Sequence, residues 1–376
     1  MAKLVEGFKQ ALFIAKESAF NTAADVSSSD GCMLTEMKLE PNQEFVENES
    51  HVGTASPQGP GVKGKFNGTW SVAGYLQVPS SGTPADLDDS MKAILEATFG
   101  QVDPSGGALT YSSTDENPQS LTMVKAAGDG FWNKATGCVV ESLELDMTGG
   151  EIPSFTASGK FCGFAYCYGA TADSANGDDI TLSAADAGKI SKGAKIKIAN
   201  SGGYSVTAVS GSVITVSPTP TVSGGEAITP DYPAPAMSTD IMDGVSCSLK
   251  VNSTSMGFIS GKVSLSTGNT LTEQEATSAF PTAGVKGAKR EVTGSVSVYF
   301  SDENAAHIGK SLEGALSTVE LQCGTESGKT CKISMPSVRI EPVVAEVPGA
   351  DVATAEMSIR AYQDSSPGDE LELKIS

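Results

Sequence analysis

The chain reads as mainly β: two tandem β-sandwich or barrel units, each flanked by one α-helix, with a small β-barrel inserted between them. Three observations predict this. Gly61-Val62-Lys63-Gly64 runs into the β-rich stretch 68–78, and Gly284-Val285-Lys286-Gly287 runs into 294–300. Both stretches alternate with period two, as half-buried strands do. Each is followed by a polar turn and one amphipathic helical pattern, and a compositionally distinct segment separates the two copies. A repeated unit of this kind sets the architecture of the chain.

Taken in order, residues 1–27 form an N-terminal arm. Val5, Phe8, Leu12 and Ala15 fall at helical spacing, which predicts a helix packed on its own domain or an extension docked on a neighbouring subunit. Residues 28–168 are the first β unit. A strand opens at Met33–Leu39, and a Gly/Ser/Pro-rich loop covers 53–61. In the next strand Trp70, Val72, Leu76 and Val78 share one face. Thr83, Pro84 and Asp86 then give a helix start, Leu87, Met91, Ile94 and Leu95 an apolar stripe, and Gly100 a C′ residue. A loop-rich stretch follows to 137, with a strand at Leu121–Val124. Residues 138–147 alternate, placing Leu143, Leu145 and Met147 on one face and Ser142, Glu144 and Asp146 on the other. A return strand, 160–166, closes the unit.

Residues 169–238 are the insert. Breaker-rich flanks bound short strands at 180–182, 194–198, 204–209 and 213–216, joined by tight glycine turns, so a small barrel displayed on the outside is expected. Residues 239–376 repeat the first unit's order. Strands at 246–251 and 257–265 come first, and Ser301 or Asp302 caps a helix with the stripe Ala305, Ile308, Leu312, Ala315 and Leu316. A hairpin spans 319–333, Ser337–Glu341 matches Ser142–Asp146, and Arg360-Ala361-Tyr362 matches Phe164-Ala165-Tyr166. The tail 371–375 alternates as a strand that pairs in cis or with a neighbour.

Composition narrows the function classes. Within 376 residues there is room for two or three domains with cores of their own. Charged residues are only 19% of the chain, too sparse for full disorder. The net charge of −20 excludes a protein that grips nucleic acid by neutralising phosphates. It fits simple solubility, or an acidic surface past which a polyanion slides. The odd count of 7 cysteines, with no signal peptide, predicts buried reduced thiols and synthesis in a cytoplasm. The one apolar run near the start, 11–15, is too short to span a membrane.

No stretch carries a catalytic constellation, so no enzyme, cofactor or metal is predicted. His51 and His307 lie far apart among polar residues, with no third group at hand. Gly324–Thr330 imitates a phosphate loop but has one residue too few between its glycines and leads into a strand instead of a helix. It reads as a hairpin tip flanked by Cys323 and Cys331, reduced or paired across the hairpin. Asp173–Asp179 lacks calcium-loop spacing, and Cys162 and Cys167 lack a second zinc pair.

The order of strand, glycine-led strand, helix, hairpin and closing strands resembles the major tail tube proteins of long-tailed bacteriophages. Residues Lys16–Thr22, 68–78 with helix 84–99, 294–300 with helix 302–316, and 334–361 carry the resemblance, which leaves out the insert. It implies β-sandwich units with a helix, assembled as stacked rings into a hollow tube whose inner barrel is continuous. With two units per chain, three chains would make a pseudo-hexameric ring, a homotrimer. Glu144, Asp146 and Glu341 are then candidates for an acidic lumen that passes double-stranded DNA. Implied partners are the chain itself, a tape measure protein, a tail terminator and distal tail proteins, with no membrane. The implied place is the virion tail, assembled in a host cytoplasm. A β-rich adhesin or spike is the alternative class; a carbohydrate-active enzyme fits less well with two tryptophans.

Overall fold

The structure, a computed structural model, describes residues 10–46, 62–273, 275, 278–301, 312–341, 345–346, 352–364 and 370–376. His51, His307 and the first nine residues lie outside these, as does the second predicted helix from 302 to 311. Leu316, expected at its end, instead opens a strand. The fold is mainly β, as the alternation predicts, and eighteen strands belong to one hydrogen-bonded sheet.

The N-terminal segment is a strand, β1 (Gln10–Lys16), and not a helix. Its apolar residues are buried without a break because the strand lies between two cores. Leu12 and Ile14 join the main core, whereas Ala11 and Phe13 face a second one. Burial on both faces erases period-two alternation, so the helical spacing there was a coincidence of a continuous apolar run.

The first half contains β2 (Leu34–Val46), β3 (Val62–Tyr75), α1 (Asp89–Phe99), β4 (Leu121–Ala127), β5 (Phe131–Thr148), β6 (Ser154–Phe161) and β7 (Gly163–Cys167). Pro84–Asp86 is a separate 3-10 turn, so the N-cap position of the α-helix is Asp88 and not Thr83. Asp88 leaves the helix amides and accepts hydrogen bonds from Ser238 N–H (2.8 Å) and Thr239 Oγ1 (2.7 Å), tying the helix start to the chain leaving the insert. Gly100 ends the helix at φ +91°, a left-handed conformation that glycine adopts without a Cβ penalty. Residues 100–137 hold more strand than expected, at Gly100–Asp103, Leu109–Ser113 and β4.

Strand β5 is the spine. Its first part pairs with β4 and β7, and its second with β6. The expected return strand is thus two strands, divided at Cys162. Beyond β6, the sheet continues through β3 to β2.

The insert is a closed barrel of β8 (Ala170–Asn176), β9 (Asp179–Leu182), β10 (Lys195–Ile198), β11 (Ser201–Ser210), β12 (Val213–Ser217) and β13 (Ala227–Pro230). Its core residues Ile180, Ile196, Ile214 and Ile228 form one cluster with Phe13, Val124 and Trp132 of the main body.

The second half supplies β14 (Ser248–Val251), β15 (Phe258–Ser266), β16 (Glu291–Tyr299), β17 (Leu316–Cys323), β18 (Cys331–Ile340), β19 (Thr354–Ala361) and β20 (Glu372–Ile375). Its pairing order repeats the first. β15, β16, β19 and β18 adjoin in the order of β2, β3, β6 and β5. β14 flanks β17 as β1 flanks β4, and β20 flanks β18 as β7 flanks β5. By this order 354–361 corresponds to 154–161, so the match of Arg360–Tyr362 with Phe164–Tyr166 is displaced by one strand. The tail strand β20 pairs in cis, with β18 on one side and Leu109–Ser113 on the other.

The halves join edge to edge, β5 from Ser142 to Thr148 against β15 from Ser266 to Ser260. Cys247 and Cys323 form a disulfide between β17 and the residue before β14, where reduced thiols or a Cys323–Cys331 pair had been expected. Cys331 stands opposite Cys323 but remains a buried free thiol, its pKa pushed up to about 12 by burial.

Candidate assembly surface

The second part of β5 and its neighbours present one polar face. Alternation puts Val72, Leu143, Leu145, Val263, Leu265, Val296 and Met357 into the core. The residues between them face outward. In register, Lys38, Ser71, Ser158 and Ser142 form one row across β2, β3, β6 and β5. Lys262, Ser295 and Ser358 form another across β15, β16 and β19. Glu341 extends that row, its N–H donating to Ser358 O at 2.9 Å.

The structure therefore places Glu144, Asp146 and Glu341 on the same face. It also places cations there that the sequence reading did not single out. Lys262 Nζ lies 2.8 Å from Glu144 Oε1, and Asp146 stands opposite Lys262 in register. That hydrogen bond raises the Lys262 pKa. Arg360 pairs with Glu291 at 2.8 Å, Lys38 with Glu36 at 2.9 Å, and Lys160 with Glu273 at 2.7 Å. The Glu141 carboxyl is pushed up, chiefly by burial, against the opposing pull of Lys160. The face is thus hydroxyl-rich with mixed charge. Its cations were legible in principle, since Lys262 alternates with Val263 and Leu265.

Two strand edges of this face have no strand neighbour among the described residues. One is the outer edge of β2, where the Met37 carbonyl accepts a bond from Lys125 Nζ at 2.8 Å. The other is the chain just beyond β18. There β17 stops opposite Arg339, leaving the side of Ile340 and Glu341 away from β19 open. Unpaired edges carry rows of backbone donors and acceptors that recruit further strands.

Behind this surface a buried carboxylate fixes the arm. Glu17 accepts bonds from Ser120 Oγ (2.6 Å), Thr122 Oγ1 (2.8 Å) and Gly137 N–H (2.9 Å). Burial raises its pKa, and these donors draw it partly back. The barrel meets the body across a cavity of about 520 Å³ lined by Trp132, Lys134, Lys195, Lys197, Asp231 and Tyr232, among others. Lys195 pairs with Asp25 and Lys197 with Asp231, while Lys134 donates to Gly193 O at 2.9 Å and lies over the Trp132 ring. Burial, reinforced by Lys195, pushes the Lys134 pKa down.

Among the described residues, no cluster of His, Cys, Asp and Glu is arranged to hold a metal ion, and no helix is long and apolar enough to cross a membrane. No curated protein matches the chain. A family model described as phage tail tube protein matches residues 7–361, spanning β1 through β19. The chain therefore belongs to the phage tail tube protein family and is a structural component of that tube.

Proposed function

We propose that the two halves are copies of one tube unit, and that three chains close into a pseudo-hexameric ring. Rings stack into the hollow tube of a long, non-contractile tail, and the polar face of the sheet lines the lumen. The observation that supports this best is the repeated pairing order: β2-β3-β6-β5 and β15-β16-β19-β18 already lie side by side in one sheet with a shared polar face. Two ring positions are thus filled by one chain.

A lumen of hydroxyls interspersed with Glu144, Asp146 and Glu341 suits the passage of DNA during ejection. Carboxylates repel phosphate, and lysines already paired to carboxylates offer little to hold it. On this reading the tape measure protein occupies the lumen before ejection, a terminator and distal tail proteins cap the ends, and assembly takes place in the host cytoplasm.

Electron microscopy of the concentrated protein tests the proposal. Hollow tubes with a threefold ring repeat are expected. A chain that stays monomeric at every concentration would overturn the reading and favour a surface adhesin.

A further inference from the structure

We infer that the cavity between the inserted barrel and the body is a binding site for a small organic monoanion, a carboxylate carried on an apolar body. The inference stands apart from the tube reading, since it concerns a single chain whatever that chain assembles into.

Two alternating strands build the site. On β5, Trp132 and Lys134 lie two residues apart and so share a face, which puts the Lys134 ammonium 5.5 Å from the centre of the Trp132 ring. On β10, Lys195 and Lys197 alternate with the buried Ile196 and Ile198, so both lysines leave the barrel core on the same side. The segment after β1 adds Asp25, and the chain leaving the barrel adds Asp231 and Tyr232. At about 520 Å³ the cavity falls within the roughly 300–1,000 Å³ of small-molecule pockets.

Charge decides the sign of the ligand. The whole chain is strongly acidic, at −20, yet all four lysines of residues 170–230 fall between 189 and 197. In the cavity three lysines meet two carboxylates. Lys195 lies 3.0 Å from Asp25 and Lys197 3.3 Å from Asp231, which also accepts from the Gly203 N–H at 2.6 Å. Lys134, only 9% exposed, has no carboxylate partner among the described residues and donates to the Gly193 carbonyl. A buried cation without a counter-charge is costly, and a bound monoanion removes that cost. A dianion would overshoot the single uncompensated charge.

The walls decide the rest of the ligand. Val26, Val124, Trp132, Tyr232 and Pro233 line the same space, so it suits the apolar body of an organic acid better than a hydrated inorganic ion. The Trp132 indole N–H is buried without an acceptor, a second donor that this wall leaves unmatched. Because the lining comes from both the body and the barrel, an occupant stabilises the docked barrel by mass action.

The test titrates benzoate into the full chain at constant ionic strength, read by tryptophan fluorescence and by thermal melting. Saturable binding and a higher Tm are expected, and benzylamine, a cation of similar shape, should produce neither. Lys134→Met should weaken benzoate binding roughly tenfold or more. Asp25→Asn alters a carboxylate that is 80% exposed, so folding is undisturbed. It frees Lys195 and should tighten binding by up to about fivefold, which keeps the test decisive if Lys134→Met does not fold. A wild-type chain that shows no saturable binding would overturn the site. So would undiminished binding by folded Lys134→Met, which would place benzoate elsewhere, or an affinity that Asp25→Asn leaves unchanged or weakens. Inorganic phosphate binding as tightly as benzoate would overturn the ligand class.

Discussion

Glu17 and Gly137 stand 120 residues apart in the chain, yet the Gly137 amide donates to the Glu17 carboxylate at 2.9 Å inside the protein. With Ser120 and Thr122 completing the ring of donors, this carboxylate fastens β1 to the β4–β5 hairpin. Glu17→Gln keeps the shape but turns an amide N–H₂ toward groups that are themselves donors. We expect a loss of roughly 1–3 kcal/mol, the cost of leaving buried polar groups unmatched, read as a lower Tm. The pH dependence has a definite sign. Because the folded pKa is raised, the folded chain holds the proton more tightly than the unfolded chain does. Stability from this group is full below the ordinary glutamate pKa, and is lost as pH rises through the higher folded value. Glu17→Gln removes that slope, so the gap between wild type and variant should narrow as pH rises through the window. A gap that widens instead would show that the hydrogen bonds outweigh burial.

At the β5–β15 junction, apolar burial and the backbone ladder are expected to dominate over charge. Lys262→Ala removes an ion pair whose side chains are 49% and 39% exposed. Exposed pairs of this kind contribute at most about 1 kcal/mol. Leu145→Ala, at a position only 2% exposed, should cost about 2–5 kcal/mol. Denaturant titration of the two variants checks the ordering; equal losses would contradict it.

The barrel is not a removable ornament. Phe13, Val124 and Trp132 share its core, and Phe13 packs against Tyr232 with ring centroids 6.4 Å apart. Replacing 170–230 by a short linker should therefore expose these side chains and produce a less stable, aggregating chain. The same deletion carrying Phe13→Ser and Val124→Thr should stay more soluble. Size-exclusion chromatography and thermal melts separate the outcomes, and a deletion that melts like wild type would show that the shared core contributes nothing.

The Cys247–Cys323 bond closes a loop of 76 residues. Chain-entropy arguments put the stabilisation on the order of 4 kcal/mol. Reductant or Cys247→Ser should lower Tm, and peptide mapping under non-reducing conditions should join Cys247 to Cys323. Cys331 lies opposite Cys323, but its raised pKa leaves little thiolate to attack the disulfide at neutral pH. Finding the bond between Cys323 and Cys331 would overturn this assignment.

Much of the sheet was legible because half-buried strands write their burial into alternation: β3, β5 and β15 each show it, and with it the shared face of Glu144 and Asp146. The helix ends at Gly100, as its left-handed requirement predicts. What stayed hidden depended on neighbours distant in sequence. β1 is buried between two cores, so its residues carry no period. The disulfide arises because β14 pairs with β17, a register that no spacing between Cys247 and Cys323 could announce. The donors around Glu17 come from two distant segments of the chain, Ser120 with Thr122 and then Gly137, and the cations of the polar face gain their meaning only when β15 meets β5. Pairing between distant strands sets all of these, and local pattern does not encode it.

The internal β5–β15 junction also bears on how subunits find one another. A joint held within one chain forms at the high effective concentration of a tether, commonly in the millimolar range for flexible connections, however dilute the protein. Only the joints between chains then depend on encounter. In the proposed ring half the joints are completed at synthesis, so ring closure is of lower order in subunit concentration than it would be for single-unit subunits. The internal joint is also free to diverge: its Lys262 and Glu144 can change without altering any surface by which one chain meets the next.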